Sequence, residues 1–181
     1  MNIVNDRSLI KLAAQGDQDA FGELVQLHQS AVFNIAYRML GNRRDAEDAT
    51  QEAFIRAYNA FGKFDIKRPF RPWIKRIVTN LCLNQIKSHY PTLSLENGLP
   101  LPKEPNPGPE AQTAKSEKDA EIRAAILSLK PHYRAVIELR HFQELNYEEI
   151  AKSLDKPLST IKSDLFRARK MLAEKLKELR L

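Results

Sequence analysis

Cysteine is almost absent from this chain. Cys82 is the only one in 181 residues, so no internal disulfide can form. Its apolar helical surroundings suit a small core residue and not a reactive thiol. With one thiol and four scattered histidines, His28, His89, His132 and His141, the sequence offers no zinc ligand set. It has no Gly-rich phosphate loop and no nucleophile with a placed base. The carboxylates Asp45, Asp48 and Glu52 lack a histidine or further acid spaced to complete a cation site. No enzyme and no cofactor are expected. No apolar run approaches membrane-spanning length, and the first residues lack the apolar core of a signal peptide. A cytoplasmic protein without membrane insertion is the expectation.

Acids are scarce in one stretch above all. Phe61–Lys87 holds seven cations (Lys63, Lys67, Arg68, Arg71, Lys75, Arg76, Lys87) against Asp65 alone, and its local charge of +6 equals that of the whole chain. Phe61, Phe64, Phe70 and Trp73 interleave with those cations. Cations beside rings suit a surface that holds a phosphate backbone while stacking unpaired bases. Trp73, Ile77 and Leu81 fall at i, i+4 and i+8, which assigns Trp73 to a core face. Phe64 and the short loop Asp65–Arg68 are read as functional. A basic, ring-bearing loop between two helices has little structural reason to look like this.

Taken in order, the chain reads as helices with recognisable ends. Asn5 or Asp6 can cap a first helix that stops near Gly16. Asp17 can cap a second one running to Gly41, with Phe21, Leu24, Val25, Val32, Ile35, Ala36, Met39 and Leu40 at helical spacing and His28 as a spacer. Asn42 opens a third helix through Ala60. Its Ala46, Ala49, Ala53, Phe54, Ala57 and Tyr58 can pack inward. Its first half carries Asp45, Glu47, Asp48, Gln51 and Glu52, more acid than a helix dipole requires, so a basic protein partner is expected there. A fourth helix is expected over Phe70–Ser88. Tyr90–Ser116 then holds six of the ten prolines and is expected to be an extended tether. The flanking pieces 1–90 and 118–181 each carry +4, and 91–117 carries −2.

Helical spacing resumes from Ala114, with Ile122, Ala125, Ile126 and Leu129 on one face, and a further helix is expected over His132–Phe142. Asn146 and Glu149 have the spacing of a capping box. The short helix after them ends near Leu154, Asp155-Lys156-Pro157 makes a turn, and Ser159 or Thr160 can start a last helix. Ile150, Ala151, Leu154, Ile161 and Leu165 facing one another describe a helix-turn-helix. The other side of the last helix offers Lys162, Ser163, Phe166, Arg167, Arg169 and Lys170. Lys162 stands in the first turns, where the helix dipole disfavours cations, and this points to DNA.

These pieces together resemble bacterial sigma factors, most closely the extracytoplasmic-function group of the sigma-70 family. Asp45-Ala-Glu-Asp-Ala-Thr-Gln-Glu-Ala-Phe54 is similar to region 2.2. Phe70-Arg-Pro-Trp73-Ile-Lys-Arg76-Ile-Val-Thr-Asn80 is similar to the F-x-x-W-x-x-R-I-x-x-N signature of regions 2.3 and 2.4. Leu129–Arg134, Leu139-Arg140, Tyr147–Ala151, Thr160–Ser163 and Arg167–Arg169 resemble region 4. The resemblance implies an all-α fold of two small helical domains, a region 2 bundle at 1–90 and a region 4 helix-turn-helix at 117–181, joined by a Pro-rich flexible linker at 91–116. It implies an alternative-sigma initiation factor that binds core RNA polymerase, recognises −10 and −35 promoter elements and nucleates opening. Asp45, Asp48, Gln51 and Glu52 would dock on the clamp helices of the largest polymerase subunit, and the flap of the second-largest subunit would be a further contact. Phe64, Asp65, Ile66, Lys67 and Asn80 would take a flipped base of the −10 element, with Arg71, Lys75 and Arg76 on the single strand. Lys162, Ser163, Phe166, Arg167 and Arg169 would contact the −35 duplex. The tether would thread toward the polymerase active-site cleft, and an anti-sigma factor would be a partner.

Two positions depart from the family pattern. Asp164 stands where arginine is frequent and is read as facing the DNA, where it could accept from a cytosine amino group. Asp155 stands at a turn position where glycine is frequent, and because aspartate is less permissive there a slightly different turn geometry is expected. The competing reading is a one-component helix-turn-helix regulator with an N-terminal helical sensing domain, which would have no need of the basic aromatic segment Phe61–Lys87.

Overall fold

The computed structural model describes residues 6–89 and 114–178, with side chains over 6–88 and 119–177. Residues 90–113 of the expected tether lie outside the described residues, and its last three, 114–116, instead begin a helix. Among the described residues the fold is all-α, and no strand occurs.

Capping chemistry sets the ends of the first helices. Helix α1 spans Asp6–Ala14 and runs into Gly16, whose φ of 93° is a left-handed conformation that glycine adopts at least cost. Helix α2 (Gln18–Leu40) begins where the Asp17 side chain accepts from Ala20 N–H at 3.0 Å, and ends at Gly41 in the left-handed C-cap conformation. Helix α3 (Arg43–Ala60) begins where Asn42 accepts from Asp45 N–H at 2.8 Å. A 3-10 turn at Phe61–Lys63 leads through the basic loop to α4 (Phe70–His89).

These four helices close around one core. Leu24, Val32, Ile35, Ala36 and Met39 of α2 meet Ala46, Ala49, Ala53 and Ala57 of α3. Alanines at that spacing let the two backbones approach closely. From α4 come Phe70, Ile74, Val78, Cys82 and Ile86. The buried stripe of α4 is therefore centred beside the Trp73–Ile77–Leu81 line read from sequence. Leu81 is buried, while Trp73 and Ile77 are half-buried and pack against the core edge. Burying each large aliphatic side chain here stabilises by about 1.5–3 kcal/mol. Burial also holds the Cys82 thiol protonated, its pKa raised to about 12. His28 is more than a spacer: it is buried against Phe70, with ring centroids 5.3 Å apart.

The second half comprises α5 (Ala114–Leu127), α6 (Pro131–Ile137), α7 (Tyr147–Leu154) and α8 (Leu158–Glu178). Pro131 opens α6, where its missing N–H costs nothing. The single helix expected over His132–Phe142 widens instead into a π-turn at Glu138–Phe142, closed by Gln143 N–H donating to the Glu138 carbonyl at 3.1 Å. Leu129, Val136, Ile137, Leu139, Ile150, Ile161, Leu165 and Ala168 form its core. Ala125 and Ile126 are buried as the spacing predicts, but Ile122 is exposed, so the inward face of α5 starts one turn later.

The two halves are packed together. Ala135 of α6 is part of the first core, and Leu154 touches both. Arg134, fully buried, donates to the carbonyls of Met39 in α2 and Leu127 in α5, and to that of Leu129 at 3.2 Å. Met39 and Leu127 lie in the last turns of their helices, where carbonyls lack intrahelical partners and the dipole is negative. Two helix ends thus supply the countercharge that a carboxylate would otherwise provide. The desolvation is still felt, since burial lowers the Arg134 pKa to about 10.

Candidate nucleic-acid interface

The loop between the 3-10 turn and α4 is built on rings. Phe61 and Phe70 are buried, and Phe64 packs on Trp73 with centroids 4.5 Å apart. Phe61 meets Phe64 at 5.5 Å and Trp73 at 5.9 Å. Phe64 is therefore a half-buried anchor of the loop. Above it Asp65 organises the turn: its side chain accepts from Lys67 N–H at 3.1 Å, its carbonyl from Arg68 N–H at 2.9 Å, and it pairs with the Arg68 guanidinium at 3.3 Å. An Asx-type turn of this kind needs no outside support. It leaves Ile66, Lys67 and Arg68 exposed beside Asp65.

Helix α4 divides the remaining cations into two sets. Arg71 and Arg76 are exposed. Lys75 is 3% exposed, and Asn80 donates its side-chain amide to the Ser153 carbonyl of α7 at 3.1 Å. Burial lowers the Lys75 pKa to about 8, helped by repulsion from Arg71 and opposed by Glu138 and Glu144. The eight residues read as a strand-binding set are thus not all available at once. Six lie on or beside the open loop face, while Lys75 and Asn80 lie under the second half.

The acidic end of α3 is open. Asp48 and Gln51 are exposed, Asp45 is half-buried and bonded to the Asn42 amide at 2.6 Å, and Glu52 pairs with Arg56 at 2.6 Å. Solvent screens such pairs heavily, so this face can exchange its partners at little cost.

The helix-turn-helix forms from α7 and α8. Asn146 accepts from Glu149 N–H at 2.8 Å while the Glu149 carboxylate accepts from Asn146 N–H at 2.7 Å, completing the capping box. Asp155 adopts the left-handed conformation itself, φ 51° and ψ 51°, so the turn has the geometry a glycine would give. On α8, Lys162, Ser163, Phe166, Arg167 and Arg169 are all exposed, and Phe166 stands 72% exposed. Ser163 Oγ donates to the Ser159 carbonyl at 3.0 Å, and Arg169 Nε donates to His141 Nε2 at 3.3 Å. That bond needs a neutral imidazole, and burial together with Arg169 and Arg140 lowers the His141 pKa.

Asp164 is a correction. It does not face outward with its neighbours: it is 7% exposed and pairs with Lys156 Nζ at 3.2 Å. Ile161, Asp164, Leu165 and Ala168 form an i, i+3, i+4, i+7 stripe, so spacing alone carried the signal.

Arg38, Glu138 and Gln143 are absent from the sequence expectations, and Arg134 enters there only as the end of a motif, with no role. Arg134 and Glu138 sit at i and i+4 within an apolar helix, a hint of buried charge. Nothing in the sequence ties Glu138 to Arg38, a hundred residues away.

Two stretches of the chain match known families. Residues 24–91 match sigma-70 region 2, and residues 119–172 match sigma-70, region 4. The chain is 37% identical over 179 residues to the ECF RNA polymerase sigma factor SigW of Bacillus subtilis, covering 94% of this chain and 96% of that one. The solved structure of CnrH in complex with the cytosolic domain of CnrY is 27% identical with a TM-score of 0.70, covering 96% of this chain and 97% of that chain. RpoE of Bartonella quintana, solved with the anti-sigma factor NepR, shares the fold at 21% identity and a TM-score of 0.68, covering 87% of this chain and 96% of its own.

Proposed function

Because this chain belongs to the extracytoplasmic-function group of the sigma-70 family and is an alternative sigma factor of transcription initiation, we propose that it binds core RNA polymerase and reads the two promoter elements with the two faces described above. Phe64, Asp65, Ile66 and Lys67 receive a base extruded from the −10 element, with Asn80 completing the pocket. Extrusion costs a few kcal/mol of stacking and pairing, which a shaped pocket and hydrogen bonds offset. Arg71, Lys75 and Arg76 hold the strand's phosphates. Lys162, Ser163, Phe166 and Arg167 meet the −35 duplex, with Arg169 on phosphate.

The observation that carries this reading is the loop. It projects Ile66, Lys67 and Arg68 into solvent from a ring cluster that fixes its base. A sensing domain has no use for such a loop, and this disfavours a one-component regulator.

Asp45, Asp48, Gln51 and Glu52 form the surface for the polymerase clamp helices, while the region 4 half (117–181) engages the flap. The work is done by binding and not by catalysis, in the cytoplasm. An anti-sigma factor is the expected protein partner. The CnrH complex with the cytosolic domain of a second protein supports such a partner.

The test is binding to purified core polymerase without DNA. The full chain binds, and Asp48→Lys with Glu52→Lys weakens binding at least tenfold, or about 1.4 kcal/mol. Undiminished binding by that double variant would remove α3 from the interface.

A further inference from the structure

Arg38 sits in a socket made entirely by the second half. Its Nε and Nη2 donate to the two carboxylate oxygens of Glu138 at 2.6 and 2.8 Å. Gln143 Nε2 donates to the same carboxylate at 2.8 Å. The guanidinium carbon lies 4.3 Å from the Phe142 ring centroid. The π-turn makes this possible, because its wider winding brings Glu138, Phe142 and Gln143 around one point. Two parallel bonds to a carboxylate plus a ring face fix the guanidinium in position and in plane.

We propose that this socket is a latch that keeps the chain in a closed form unable to seat a promoter strand. The inference rests on the reading of Lys75 and Asn80 as strand contacts. In the closed form Lys75 is buried near Glu138 and Glu144, and Asn80 is spent on the Ser153 carbonyl. A phosphate has no route to that lysine while the second half is docked. Glu138 takes the place of the anion: a buried carboxylate holds Arg38 and faces Lys75, where DNA would bring its own negative charge. The −35 face of α8 is not covered, and neither is the loop at Asp65–Arg68. The closed form therefore blocks one part of one site.

The socket has the character of a latch and not of a permanent core. Its bonds are between charged and polar groups, its one ring, Phe142, is 43% exposed, and Arg38 remains partly open with 22% of its side chain exposed. Charged interfaces give up their partners to competing charge more readily than apolar ones, since each ion regains water or a new counterion on release. Lys75, held where burial opposes its charge, gains solvation when the halves part.

Arg38→Glu and Glu138→Arg each place like charges in the socket, and the double exchange restores opposite ones. Two measurements on the full chain read the result. Dyes on Arg44→Cys in α3 and Glu174→Cys in α8 report the distance between halves, with Cys82 buried and unlabelled. Anisotropy reports the affinity for a single-stranded −10 oligonucleotide. Both single variants are expected to lengthen the dye distance and to tighten strand binding on the order of tenfold. The double variant returns both values toward wild type. Simple charge effects on DNA would instead move the two singles in opposite directions, and that outcome overturns the proposal. So does an unchanged dye distance in both singles, or a double that fails to restore it.

Arg38→Lys keeps the cation but cannot serve both oxygens in one plane. It is expected to fall between wild type and Arg38→Glu, and it decides the matter if the reversals lose helicity. Opening and rescue by dye distance with no strand binding by any variant would overturn the strand-site reading, and with it the inhibitory role. Opening with strand affinity unchanged from a wild type that binds would overturn the inhibitory role alone.

Discussion

Asp164 lies between Ser163 and Leu165 on α8, yet its carboxylate turns inward onto Lys156 Nζ. Successive helix positions differ by about 100°, so neighbours in sequence face different media. Ser163 looks at solvent and Asp164 at the α7–α8 turn. The acid therefore ties the last helix of the helix-turn-helix to the turn before it. Asp164→Ala is expected to lower stability by about 1–3 kcal/mol, because a partly buried ammonium loses its counterion. Its relative affinity among −35 sequences should not change. Denaturant melts and a panel of −35 duplexes measure the two effects separately; a changed preference with unchanged stability would return Asp164 to the DNA face.

At the level of elements, turn chemistry decides how α7 meets α8. The chain reverses at Asp155 with φ 51°, a conformation that costs most residues roughly 1–2 kcal/mol. Aspartate and asparagine tolerate it better than β-branched residues do. Asp155→Val should therefore cost about 1–2 kcal/mol, whereas Asp155→Gly should cost nothing measurable in a urea melt. Equal losses for both would mean that the Asp155 side chain, and not its backbone, holds the turn. Capping had the same authority earlier in the chain. Asp17, Gly41, Asn42 and the Asn146–Glu149 pair set helix ends where local spacing put them, because each cap is completed within four residues.

The whole molecule adds what no element contains. Lys75 is buried near Glu138 and Glu144 of the second half, and its pKa falls to about 8 from an ordinary value of 10.5. Its folded-state pKa lies below its unfolded one. Above pH 8 the folded form has shed a proton that the unfolded chain still binds, so stability rises with pH toward 10.5. The groups around it are Arg71 and Arg38, which oppose its charge, and Glu138 and Glu144, which favour it. The urea midpoint relative to that of Lys75→Met should increase between pH 7 and pH 9.5. Lys75→Met keeps the stem and removes the titration, so its own midpoint supplies the baseline for all other groups. Parallel pH profiles for the two chains would contradict a buried, readily deprotonated Lys75.

The sequence by itself determined the helices other than the π-turn at Glu138–Phe142, their caps, the helix-turn-helix and the family, because those depend on contacts a few residues apart and on residue types at fixed spacing. Even the burial of Asp164 was written in its spacing to Ile161 and Ala168. The tertiary structure alone decided that Arg38 meets Glu138, that Arg134 closes the ends of α2 and α5, and that Lys75 and Asn80 lie under α6 and α7. Those pairings join surfaces far apart in the chain. They are chosen by how two folded halves fit, a choice that helical periodicity does not encode.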